Sequence, residues 1–307
     1  MRAAALLAAW AASAALAGSA EAAWQQRALL PEPRSETVAT AFGGRIVIGG
    51  GYFADGRTAA RVDAYDPVRN RWKRLRDLPF GVNHAMATSY QGRLYVIGGW
   101  RSSGRATHAV FVLSHGRWRF GPPLPAVRAA GGAVVVGRTL VVAGGVGPHG
   151  LARAALAFDL ERERWRFVPG PMPRQHLGVA AWNGWVYTVA GRILGQDTSM
   201  ATFERWKPGR RRWATLPPVP QMRGGTAAAA VAGQIVSVGG ETTTVTLPEV
   251  FAFNVASRRW RRLPDSPTPR HGLGVAALGR FVYAVGGGPV PGLSVSSRNE
   301  ALRVGAP

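Results

Sequence analysis

Cysteine is absent from the 307 residues, which excludes disulfides, thiolate metal sites, a cysteine nucleophile and a lipobox. Lysine is nearly absent as well: only Lys73 and Lys207 stand among 38 basic residues, and the rest are arginine. Acidic residues number 16, leaving a formal charge of +22 and no pair of carboxylates at a spacing that suggests a glycosidase. Beyond the N-terminus no apolar run approaches the ~20 residues of a membrane span, and helical periodicity is missing. Ser-His-Asp order, a phosphate loop, a helix-turn-helix pattern, zinc spacing and basic runs interleaved with aromatics are also missing. The high charge therefore does not imply nucleic acid as a partner. Disorder is excluded by 11 Trp and 40 Gly in a chain of near-neutral hydropathy.

The first 22 residues have the form of a secretory signal. Arg2 supplies a positive start, Ala3 to Ala17 is small and apolar, and Ala20-Glu21-Ala22 is an A-x-A cleavage site. The mature chain, residues 23–307, is expected to be periplasmic or secreted and free of membrane spans.

That mature chain repeats. Trp24, Trp72, Trp118, Trp165, Trp213 and Trp260 recur every 46 to 48 residues. An aromatic precedes five of them by seven residues: Tyr65, Phe111, Phe158, Trp206 and Phe253. Small-residue pairs close six apolar runs: Gly49-Gly50, Gly98-Gly99, Gly144-Gly145, Ala190-Gly191, Gly239-Gly240 and Gly286-Gly287. Short β-branched and aromatic stretches between Gly, Pro and Asn turns are strand text, so each repeat predicts four antiparallel strands. The aromatic and tryptophan columns are expected to pack between repeats as structural groups.

A diglycine followed by a spaced aromatic and tryptophan resembles the kelch motif, and the resemblance covers nearly the whole mature chain. It implies an all-β fold, a six-bladed kelch β-propeller. Trp24 opens the chain with no repeat before it, and the last repeat ends without a tryptophan. The N-terminal strand must therefore complete the last blade, which ties the termini together and removes an open seam.

In a kelch blade the loop entering the first strand and the loop after the diglycine open on one face, around the axis. Five of six blades place an arginine at the first of these: Arg34, Arg128, Arg174, Arg223 and Arg270, with Asn83 and His84 in blade two. After the diglycines come Tyr52 and Phe53, Trp100 and Arg101, His149, Arg192 and Glu241. An arginine ring with aromatic neighbours suits an anionic ligand, whether acidic peptide or acidic sugar. The same arginines could instead bridge blades or cap strand ends. His84, His176 and His271 fall at almost one repeat position, with Glu36 there in blade one. Three histidines invite a metal reading. Alternate blades across a mouth are expected to stand too far apart for ligand nitrogens at about 2.0 to 2.1 Å, so neither metal nor cofactor is expected and strand-entry hydrogen bonding is the favoured role.

Galactose oxidase, also a kelch propeller, needs a tyrosine–cysteine crosslink beside copper, and that cofactor cannot form here. Exported bacterial kelch propellers include sialic acid mutarotases. A cofactor-free epimerase or mutarotase would need Glu36, Glu241, His176 or His271 as acid or base beside Arg174, Arg223 or Arg270. The leading expectation is an exported recognition module for an anionic protein or acidic sugar, with the epimerase as alternative. The expected ligand-binding residues are Arg34, His84, Arg128, Arg174, His176, Arg223, Arg270, His271, Trp100 and Arg192.

Overall fold

The computed structural model describes residues 23–306, so the signal-like leader lies outside the described residues. Six four-stranded antiparallel sheets follow one another around an axis. Blade one runs from the axis outward through Val38–Phe42, Arg45–Gly49, Val62–Asp66 and Arg71–Arg74. The innermost strands of the next five are Met86–Tyr90, Gly132–Val136, Gly178–Trp182, Ala227–Val231 and Gly274–Leu278. Blade six closes as expected, because Trp24–Gln26 pairs antiparallel with Asn299–Arg303 in the register Trp24↔Leu302. No described helix is long and apolar enough to cross a membrane.

The hydrophobic interior is divided into six clusters, each lying between adjacent blades. One joins Val47, Val62 and Leu78 of blade one to Leu94, Val96 and Phe111 of blade two. Another joins Val250 and Leu263 of blade five to Val282 and Leu302 of blade six. Each cluster takes residues from two neighbouring blades, so closure of the circle completes every one.

The diglycines follow from this packing. Gly98 has φ +60°, and a β-carbon there would sit 2.1 Å from the Arg128 carbonyl of the next blade. The following N–H of Gly99 donates to that same carbonyl at 2.8 Å. Every tryptophan of the column also stitches two blades. The indole N–H of Trp72 donates to Ala28 O, of Trp118 to Arg76 O, of Trp165 to Pro122 O and of Trp260 to Pro217 O, at 2.8 to 2.9 Å. Trp24 completes the circle with Pro264 O at 2.9 Å. The tryptophan rings are half-buried rather than enclosed.

Blade two corrects one detail of the aromatic column. Its outer hairpin turns on His115-Gly116 alone, with φ +49° and +73°, where blade one spends four residues on the same turn. Trp118 therefore faces Leu113, not Phe111. Phe111 moves two places inward, to the register position that Asp63 holds in blade one.

Candidate functional site

The arginine ring does not line the mouth. Arg34, Arg128, Arg174, Arg223 and Arg270 are all at most 2% exposed, each folded back into its own blade. Arg34 Nη2 lies 2.6 Å from Asp63 Oδ2, Arg174 Nη1 2.5 Å from Glu204 Oε2, and Arg270 Nη2 2.6 Å from Glu300 Oε2. Arg128 donates to Gly144 O and Ala154 O, and Arg223 to Gly239 O and Glu249 O. The Arg223 guanidinium also lies 5.0 Å from the Phe251 ring centre. Burial pushes Arg34, Arg128, Arg223 and Arg270 down to about 10, against the opposing charge of Asp63 on Arg34 and Glu300 on Arg270. Each guanidinium hydrogen-bonds backbone carbonyls at the mouth end of its own blade, which is the strand-capping role rather than a bridge between blades, and the five are corrected from ligand contacts to blade fasteners. The carboxylate anchor required by the epimerase reading is thereby lost at Arg174, Arg223 and Arg270.

Two residues after this arginine position, the chain meets the axis. Glu36, His84, Ala130, His176, Gly225 and Gly272 all have φ between +50° and +70° and occupy equivalent places in the six blades. Their backbones form a circle of hydrogen bonds, from His84 N to Glu36 O, Ala130 N to His84 O, His176 N to Ala130 O, Gly225 N to His176 O and Gly272 N to Gly225 O, all 2.8 to 3.0 Å. Thr37 N to Gly272 O, at 3.4 Å, closes it. The left-handed conformation turns each side chain toward the axis, above a cavity of about 340 Å³ lined mainly by alanine, glycine and valine of the innermost strands.

Glu36, His84 and His176 converge there, each offering a ligand atom within 4.8 Å of the other two. The expected wide separation of alternate blades does not hold: the rings of His84 and His176 are 4.9 Å apart, centre to centre. Ala130, which stands between them in blade three, has no side chain long enough to keep them apart. Glu36 Oε2 lies 3.1 Å from His84 Nε2, and Glu36 Oε1 lies 3.3 Å from His271 Nδ1. His271, reaching in from one residue earlier in its blade, is also 3.7 Å from Glu241 Oε1, which pairs with Arg192 Nη1 at 2.6 Å. Trp100 and Tyr52 set their rings edge-on against His84 at 4.8 and 5.9 Å.

Burial raises the cost of charge on Glu36, but His84, His271 and His176 outweigh it and hold its carboxyl well below the usual carboxylate range. Burial lowers His84, against the pull of Glu36. His176 is driven well below the ordinary imidazole value by burial and then by His84 beside it. For His271, burial is overcome by Glu36 and Glu241, so its value rises. Five of the ten expected ligand residues, His84, His176, His271, Trp100 and Arg192, thus meet at one mouth, and the five arginines of the blade interiors do not.

Residues 83–287 match the KLHDC2/KLHL20/DRC7 Kelch-repeats domain, well over half of the chain, and residues 33–79 match the Kelch motif. The chain belongs to the kelch-repeat family. It is similar to the Kelch-like protein terF of Aspergillus terreus (strain NIH 2624 / FGSC A1156), at 29% identity over 164 residues, 48% of this chain and 36% of that protein. The chain spans about a third of that relative's length.

In this kelch propeller, Glu36 and Glu241 were legible only as alternatives for an acid or base, while their convergence with the histidines depends on the ring. The shared left-handed φ at Glu36, His84 and His176 leaves one faint trace in the sequence: the equivalent places of blades five and six are Gly225 and Gly272.

Proposed function

We propose that this protein is a kelch recognition module that takes an anionic protein segment across its loop-bearing mouth. The observation that carries the reading is an apolar crescent on three adjacent blades. Ile193 and Leu194 of blade four, Val245 of blade five, and Val290 and Leu293 of blade six are all exposed on the loops that follow the small-residue pairs. Those loops touch one another: Thr246 Oγ1 donates to Pro289 O at 2.9 Å, and Arg192 of blade four pairs with Glu241 of blade five. Exposed aliphatic side chains collected on one face and rimmed by polar groups favour a macromolecular partner over a sugar. Arg101 and Arg105, exposed on the blade-two loop of the same mouth, and the net charge of +22 favour an acidic one. The signal-like leader supports export, in which case the partner is met outside the cytosol; N-terminal sequencing of secreted protein tests this.

Titration with a panel of acidic peptides and a matching panel of acidic sugars, on the wild type and on Leu194→Asp/Leu293→Asp and Arg101→Glu/Arg105→Glu variants, tests the reading. Peptide binding that weakens with salt and is lost in both variants supports it. Binding of neither panel, or peptide binding indifferent to both variants, refutes it.

A further inference from the structure

The donor atoms at the axis are arranged as ligands rather than as a hydrogen-bonded network. We propose that Glu36, His84 and His176 bind one divalent transition-metal ion of the zinc class at the mouth of the channel, with water completing the coordination and His271 beside the Glu36 carboxylate. This does not depend on the peptide reading, since the cluster lies at the axis and the crescent on the loops.

The proton positions carry the inference. Asn83 donates its amide to Thr58 Oγ1 at 3.0 Å, which turns Asn83 Oδ1 toward His84 Nδ1 at 2.8 Å. That oxygen can only accept, so a hydrogen sits on His84 Nδ1, and in the neutral ring the lone pair of Nε2 faces Glu36 Oε2 at 3.1 Å. His271 repeats the arrangement. Its Nε2 lies 3.1 Å from the Val290 carbonyl, again an acceptor only, and its Nδ1 points between Glu36 and Glu241 without making a hydrogen bond. His271 is 3% exposed, so no bulk water answers that nitrogen. His176 Nδ1 is likewise buried without a partner. Lone pairs turned on carboxylate oxygens repel unless a cation lies between them. A ring N–H tied to a carbonyl or amide oxygen, with the other nitrogen free, is the usual posture of a metal-bound histidine.

Distance and donor type agree. Nitrogen and oxygen ligands at about 2.0 to 2.2 Å from a tetrahedral ion stand about 3.3 Å from one another. The His84 Nε2–Glu36 Oε2 separation is 3.1 Å, and the donor atoms of Glu36, His84 and His176 all lie within 4.8 Å of one another. Imidazoles with one carboxylate and no thiolate suit zinc, nickel, iron or cobalt, and disfavour magnesium, calcium and copper(I). The backbone agrees as well: Glu36, His84 and His176 hold φ of +50° to +54°, which glycine would adopt at lower cost.

The rival source of positive charge is a proton on each of His84 and His271, and metal titration separates the two. Protein stripped with EDTA is titrated with zinc chloride by calorimetry and with cobalt chloride by visible absorption. The expected result is one ion per chain, with the intense absorption of four-coordinate cobalt. His84→Gly and His176→Gly place at those positions the residue that blades five and six carry, so the fold is retained, as melting in EDTA checks. Both variants, and Glu36→Gln, should weaken binding by more than about 100-fold, the upper end for losing even an outer partner of a metal site. His149→Ala, an exposed histidine on the same face, should bind as the wild type does. No stoichiometric binding, or binding that persists in folded His84→Gly and His176→Gly, overturns the proposal.

Discussion

The blade interiors and the axial mouth are built from residues two places apart, yet they treat charge in opposite ways. Arg34, Arg174 and Arg270 enter their blades and meet Asp63, Glu204 and Glu300 with their guanidinium groups consumed by carboxylate and carbonyl oxygens. Glu36 and His176, two residues on, turn to the axis, where Glu36 Oε2 stands 3.1 Å from His84 Nε2 and His176 Nδ1 has no partner. The interior spends its charges on holding strands. At the mouth Glu241 is paired with Arg192, but ring nitrogens of His176 and His271 are left without a hydrogen-bond partner, which is the arrangement a ligand completes. The blades also show that the interior device is optional. Blade two puts Val82 and Phe111 in one apolar cluster, and blade five sets Arg223 against Phe251 with no carboxylate at that register.

The sharpest test of this contrast is to remove one partner of an interior pair. Arg270→Ala leaves Glu300 charged and 1% exposed, and is expected to cost about 3 to 5 kcal/mol in denaturant melts. The double change Arg270→Val/Glu300→Phe, which installs the pair blade two already uses, should recover most of that loss. If the double variant is as unstable as the single one, the ion pair is not interchangeable with apolar packing.

Arg223→Leu abandons no carboxylate. It frees the carbonyls of Gly239 and Glu249 instead, and a loss of about 1 to 3 kcal/mol is expected, smaller than that of Arg270→Ala. Equal losses would mean that the carbonyl bonds, rather than the buried carboxylates, dominate the column.

Trp165→Phe keeps most of a half-buried ring and removes only the bond to Pro122 O. The expected loss is about 1 kcal/mol by the same melts, the net worth of a hydrogen bond.

The smallest effect is expected at the mouth. At pH 7, His176→Gly in EDTA should change stability by no more than about 1 kcal/mol, since relief of a left-handed histidine offsets the greater freedom of glycine in the unfolded chain. The pH dependence distinguishes the two proteins. With the folded-state value of His176 driven well below the unfolded one, its neutral form supports the fold above the ordinary imidazole range, near 6.5. That support is lost as pH falls toward the folded value, by about 1.4 kcal/mol per pH unit while only the unfolded chain is protonated. His84 shares this direction and remains, whereas His271, whose value is raised, loses its support as pH rises through its folded value. The acid limb of the stability profile should therefore be shallower in His176→Gly than in the wild type.

The kelch period, the blade number and the closure by Trp24 were all legible in the sequence. Each rests on features that recur within one repeat: a strand that ends where the next blade approaches too closely for a β-carbon, and an indole that always finds the preceding blade. Blade two shows the limit of such reading, because a turn shortened to His115-Gly116 moved Phe111 out of the column that counting had put it in.

Which way a side chain at the strand entry points was decided only by the tertiary structure. The arginine position and the position two residues later are both polar, both periodic and both at the mouth end, and nothing local distinguishes inward from axial. The left-handed turn does so, and it is held by hydrogen bonds to neighbouring blades. For the same reason the meeting of Glu36, His84, His176 and His271 is invisible along the chain. Each stands about a blade or more from the next in sequence, and only closure of six blades around a narrow axis brings Glu36, His84 and His176 to one point with His271 against Glu36.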